Sequence, residues 1–171
     1  MPRFRRNLPF GLAAALALAL PSAPAGAVEQ PLTRHVVSAA QAQGMIASAV
    51  VEAKNRGIEV SIVVVDSAGD VIVGHRMDGS GPAYFEIARR KAATSAMFRA
   101  SSKNIEDNVV KGLAGSGAFM GAIVLDDIMP RQGGLPVKHG DATIGAIGVS
   151  GATPDVDELI AQAGLGALAG N

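Results

Sequence analysis

The chain has 171 residues, 49% of them hydrophobic, and its 15 Lys and Arg balance 15 Asp and Glu. That length suits one ordinary domain with a single core, and a charge balance with no excess of basic residues argues against nucleic acid as a partner. The complete lack of cysteine excludes disulfides, thiolate metal sites, c-type haem attachment and a thiol nucleophile.

The first segment carries Arg3, Arg5 and Arg6, then an apolar run from Leu8 to Leu20, then Pro21 to Ala27 ending in Ala25-Gly26-Ala27. This pattern predicts a signal peptide over residues 1–27, cleaved after Ala27, and hence a periplasmic or secreted protein. A retained membrane helix would need about 20 apolar residues, so no membrane span is expected after cleavage. Arg5-Arg6 only weakly resembles a twin-arginine signal, and the Sec route is the default. Removing those three arginines leaves 12 basic against 15 acidic residues, a formal charge of −3 for the single domain expected over residues 28–171.

In that domain Ser38 and Gln41 form a candidate capping box ahead of Ala42, Met45, Ile46, Ala49, Val50 and Ala53, which recur at helical spacing until Asn55-Arg56-Gly57. Ile58 to Asp66, a turn at Ser67-Ala68-Gly69-Asp70, and Val71 to Met77 predict a hairpin. Its continuous Ile62 to Val65 run suits a central strand covered on both faces. A second helix is predicted from Ala83 to Phe98, with Phe85, Ala88, Ala92, Ser95 and Ala96 facing inward and Arg89, Arg90 and Lys91 mostly elsewhere. Ser101-Ser102 restarts a short helix through Val110, Gly112 to Gly121 reads as a loop, and Ile123 to Met129 reads as a further strand. A hairpin from Leu135 to Val149 turns near His139-Gly140-Asp141. Thr153-Pro154, with acids in the first turn, starts a last helix. This order predicts an antiparallel sheet with helices on its faces.

The glycine-dense run from Gly133 to Gly151 interrupts a strand-like pattern, which marks bends, bulges or close backbone approach. Its spacing matches neither the dinucleotide fingerprint nor a Walker loop. Ala152 stands where a nucleophile elbow around Ser150 needs glycine.

Val63-Val-Val-Asp66-Ser-Ala-Gly69, Arg76-Met-Asp-Gly79, Lys91-Ala-Ala-Thr94, Gly133-Gly-Leu-Pro136 and Gly145-Ala-Ile-Gly-Val-Ser-Gly151 resemble the GlcG/HbpS (DUF336-type) family of haem-binding-protein-like domains, over roughly Leu32 to Leu168. The resemblance implies a profilin-like three-layer α/β/α sandwich with a five-stranded antiparallel sheet, and homo-oligomers. It also implies a haem or tetrapyrrole ligand, because members include an extracellular haem-binding sensor partner. Other members include a domain of a cobalamin-pathway adenosyltransferase, so fold transfers better than function.

Against that background, His75 at the end of the second strand and His139 at the hairpin tip are candidate haem-iron ligands or solvated surface histidines. His35 lies in the N-terminal lead-in. Met77 and Met97 are thioethers that more often fill a core, and Tyr84 is the sole tyrosine. Arg76, Asp78 and Lys91 form a second constellation. They either contact a carboxylate or propionate or make structural ion pairs, Arg76 to Asp78 or Lys91 to Asp66. Two functions follow: an exported small-ligand-binding protein for haem, or an enzyme or accessory subunit acting on a small carboxylate with Lys91 or Asp78 as acid/base and Arg76 as anchor. No paired carboxylate or nucleophile-base spacing names a reaction.

Overall fold

A computed structural model describes residues 33–112 and 126–168. Residues 1–27, expected to be a signal peptide, and most of the Gly112 to Gly121 loop lie outside the described residues. Helix α1 spans Ala39–Asn55, and its capping box forms as the sequence predicts. Gln41 N donates to Ser38 Oγ at 3.2 Å, and Ser38 N donates to Gln41 Oε1 at 3.0 Å. Such a cap contributes about 1 kcal/mol by satisfying N–H groups that have no partner within the helix.

Strands β1 (Ser61–Asp66) and β2 (Val71–Arg76) form the first hairpin. Its turn is closed by Asp66 Oδ1, which accepts from Ala68 N at 2.8 Å and Asp70 N at 3.0 Å. Helix α2 (Pro82–Phe98) and helix α3 (Ser102–Lys111) follow. Strands β3 (Gly134–His139) and β4 (Ala142–Ser150) make the second hairpin, turning at Gly140-Asp141, and helix α4 (Pro154–Gly166) closes the described chain. The sheet is antiparallel with order β2-β1-β4-β3.

The apolar run in β1 packs both faces of the sheet because successive side chains alternate. Ile62 and Val64 join Ile147 and Val149 against α1 and α4, through Met45, Ala49, Ile160 and Ala161. Val63 and Val65 join Ala146 against Ala88, Ala92 and Ala96 of α2. Each fully buried Val or Ile contributes about 1.5–3 kcal/mol. The result is helices on both sides of one central sheet.

The glycine-dense run explains the closeness of α2. A Cβ at Gly148 would collide with the Ala88 carbonyl, and one at Gly134 with the Lys91 carbonyl. Because the two glycines pair across β3 and β4, they form a side-chain-free track on which the helix backbone rests.

Three expectations need correction. The described sheet has four strands, not five. Of the strand expected over Ile123 to Met129, the described part is a turn at Asp126-Asp127 followed by irregular chain. Its polar groups are satisfied elsewhere, since Met129 N donates to Thr94 Oγ1 at 2.8 Å. Ile128 packs with Ile105 and Val109 of α3, away from the sheet. Lys91, expected outside the buried stripe of α2, is 2% exposed.

Candidate functional site

A cleft of about 680 Å³ lies between α1 and β2. That is within the ~300–1,000 Å³ typical of small-molecule pockets. One wall is the helix face formed by Gln43, Ile46, Ala47, Val50 and Lys54, whose spacing of three and four places them together. The other wall is Val73, His75 and the chain leading out of β2 through Met77, Asp78 and Gly79, with Glu59 beside them.

Sheet register decides which β2 residues reach the cleft. Val73 pairs with Val64 and His75 with Ile62, so both lie on the α1 side of the sheet, while Arg76 pairs with Ser61 and belongs to the α2 side. The turn after β2 is fastened by a buried contact of 2.9 Å between Ser61 Oγ and Ser80 Oγ. Met77 N donates to the Val60 carbonyl at 3.1 Å, and Ser80 N to the Met77 carbonyl at 3.0 Å. Gly79 N reaches Glu59 Oε2 at 3.4 Å. His75 and Asp78 are exposed at the mouth, whereas Met77 is buried.

The remaining candidates lie elsewhere. Lys91 Nζ donates to Asp157 Oδ2 at 2.7 Å and to the Val149 carbonyl at 3.0 Å. Asp157 Oδ1 accepts from Ala152 N at 2.9 Å. Burial pushes the Asp157 carboxyl up, against the pull of the Lys91 ammonium and the Ala152 N–H. Gly133, at φ +120°, leaves the room for this pair: a Cβ there would lie 2.9 Å from both Lys91 Nζ and Asp157 Cβ. Asp66, the partner expected for Lys91, instead closes the first hairpin, and no ion pair joins Arg76 to Asp78 among the described residues.

His139 ends β3 at the sheet edge opposite β2, so it does not share the cleft with His75. Its neighbour is His35, with ring centres 4.4 Å apart. Met97 and Tyr84 are exposed and outside the cleft. On the outer face of α2, Glu86 is held down to about 2 by hydrogen bonds from Arg89 and then Arg90. Arg89 is pushed up by Glu86 and Asp127, clamping the 126–130 segment to the helix.

Of the five residues expected at a ligand, the structure brings only His75 and Asp78 together. Lys54, the cation in the cleft, and Glu59 were not singled out from sequence. Lys54 was within reach there, because it continues the Ile46 and Val50 face by four more residues.

A sequence model described as "Haem degrading protein HbpS-like" matches residues 37–166. The chain belongs to this family. It is 35% identical to protein GlcG of Escherichia coli K12 over 118 residues, 69% of this chain and 84% of GlcG. Among solved structures it is similar to Klebsiella pneumoniae protein ORFY, of the DUF336 family, with a TM-score of 0.78 and 27% identity, covering 85% of this chain and 99% of that one. A double mutant of Streptomyces reticuli HbpS gives 0.71 and 30%, covering 88% and 97%. A PduOC–haem complex gives 0.69 and 24%, covering 78% and 95%, which shows a shared fold alone. The HbpS-like membership agrees with the motifs read from the sequence. In this HbpS-like chain those motifs are largely packing devices: Lys91 is paired, Ala92 lies against Gly148, and Thr94 holds Met129. No helix of the described residues is long and apolar enough to cross a membrane.

Proposed function

We propose that this chain is an exported protein that binds haem in the cleft between α1 and β2. The observation that carries the reading is the convergence there of an imidazole, an apolar wall and one ammonium group: His75, then Ile46, Val50, Val73 and Met77, then Lys54. Membership of the HbpS-like family and the haem-bound neighbour of the same fold support it. These residues fit the chemistry of the group. Haem supplies a ligand-accepting iron within a flat apolar ring that carries carboxylates. His75 would supply a ring nitrogen to the metal, the aliphatic wall would take up the ring, and Lys54 would offer a point charge to a propionate at the rim. The family description speaks of haem degradation, and binding is the step that any such chemistry requires first.

The reading of an enzyme on small carboxylates loses its constellation, because Arg76, Asp78 and Lys91 occupy the opposite face, the cleft mouth and the interior respectively. Export rests on the leader read from residues 1–27, with Val28 expected as the first residue of the mature protein. Assembly into homo-oligomers is part of the same proposal. Both β2 and β3 leave an unpaired edge among the described residues, and such edges invite pairing with another chain.

Titration of the purified protein with haemin tests the binding. A Soret shift that saturates at one equivalent, and that changes position in His75→Ala, supports it. No shift at stoichiometric haemin sinks it. Mass spectrometry of the mature N-terminus and light scattering test export and assembly.

A further inference from the structure

We propose that His35 and His139 form a two-imidazole site for a divalent transition metal ion, with water completing the coordination shell. The rings come together from distant parts of the chain, their centres 4.4 Å apart and their planes inclined by 40°. Sequence and packing fix this meeting. Val37, two residues beyond His35 in the irregular lead-in, is 4% exposed and joins the core on the α1 side of the sheet. It lies directly over β4, because a Cβ at Gly145 would stand 2.8 Å from Val37 Cγ2. Gly145 pairs with Val137, another member of that core, and His139 lies two residues beyond Val137. The lead-in and the end of β3 therefore anchor both imidazoles from one patch.

The chemistry suits a metal. Neutral imidazole is the commonest protein ligand for such ions and is well matched to Cu²⁺, Ni²⁺ and Zn²⁺. Among the described residues no hydrogen bond or ion pair engages either ring, so the ring nitrogens are uncommitted. With each nitrogen about 2.0–2.1 Å from the ion and the ring centre roughly 1 Å further out, two rings whose nitrogens subtend a right angle at the ion have centres roughly 4.3 Å apart. The observed separation needs no backbone movement to match it. Both residues are exposed, so side-chain rotation aims the nitrogens and solvent fills the open positions. Bound metal would fasten the lead-in to the hairpin tip. The site lies at the sheet edge opposite the haem cleft and is independent of it.

Calorimetric titration of the untagged protein with Cu²⁺, Ni²⁺ and Zn²⁺ in turn, without haemin, tests this. The expected result is one equivalent bound, tightest for Cu²⁺, with at least tenfold weaker binding in His35→Ala and in His139→Ala and no change in His75→Ala. Metal should also raise the melting temperature of the wild type and of neither of the first two variants. Equal melting of all variants without metal checks that the fold is intact, as expected for exposed side chains. Absence of saturable binding, or undiminished affinity in either His35→Ala or His139→Ala, overturns the proposal.

Discussion

Lys91 and Asp157 form a salt bridge of 2.7 Å with both side chains only 2% exposed, and it links α2 on one face of the sheet to α4 on the other. Every acceptor in the pair is used, since Asp157 Oδ1 takes the Ala152 N–H and Lys91 also reaches the Val149 carbonyl. Removing one partner leaves a buried charge uncompensated, so Lys91→Met or Asp157→Leu should each destabilise by about 3–5 kcal/mol. The double variant Lys91→Met with Asp157→Leu should recover most of that loss, because the desolvation penalty goes with the charges. Urea unfolding of the three variants measures the coupling. Additive losses would show that the pair does not act as a unit.

The track formed by Gly148 and Gly134 makes a second prediction. Gly148→Ala places a methyl group against the backbone of α2 at Ala88 and Ala92, which can yield only by lifting the helix. A loss of about 1–3 kcal/mol is expected from such overpacking. Gly166→Ala is the control, because nothing lies within 4 Å of a Cβ there and the residue is helical. It should be neutral or stabilising by up to about 1 kcal/mol. Thermal melts of the two variants should therefore move in opposite directions or leave Gly166→Ala unmoved.

Glu86 supplies a pH-dependent signal. Its folded value of about 2 lies below its ordinary value of 4.5 because Arg89 and Arg90 hydrogen-bond its carboxylate. The unfolded chain therefore binds the proton first as pH falls, and the contribution of this cluster is present above about 4.5 and fades on the way down to about 2. The carboxylate is half exposed, so salt should weaken the effect and its share of total stability is small. Carbon-detected NMR titration should give a Glu86 midpoint near 2 that moves toward 4.5 when both arginines are changed to alanine. A midpoint near 4.5 in the wild type would refute the ion cluster.

The fold was readable where local chemistry and tertiary packing agree. Ser38 with Gln41, the apolar β1 run and Thr153-Pro154 each carry a signal that the three-dimensional structure leaves unchanged. The strand expected after Ile123 failed at its described end for a tertiary reason, because Thr94 supplies the acceptor that Met129 would have sought in a sheet. The site was less legible. Arg76, Asp78 and Lys91 sit in family-like motifs, but their directions depend on register and burial. A shift of one residue along β2 exchanges the faces of His75 and Arg76. Lys91 is a cation that its sequence neighbours give no reason to bury, and its partner Asp157 is far along the chain. His35, in an irregular lead-in, reaches His139 only because Val37 seats on Gly145.

The same register separates two candidate partners for a haem propionate. Lys54 extends from the last turn of α1 into the cleft that contains His75, whereas Arg76 stands on the far face of β2. Both are exposed and either can be reversed without disturbing the core. Lys54→Glu removes an attraction and adds a repulsion beside Glu59 and Asp78, so haemin affinity should fall by roughly five- to tenfold, as expected for about 1 kcal/mol or slightly more at a solvated rim. Arg76→Glu should change it by less than about twofold at the same ionic strength, because its exposed charge points away from the cleft and is screened by water and ions. The difference should shrink in high salt while the Soret position stays fixed, since neither residue touches the iron. If Arg76→Glu weakens binding and Lys54→Glu does not, the ligand lies on the α2 side of β2, and the cleft between α1 and β2 is not the haem site.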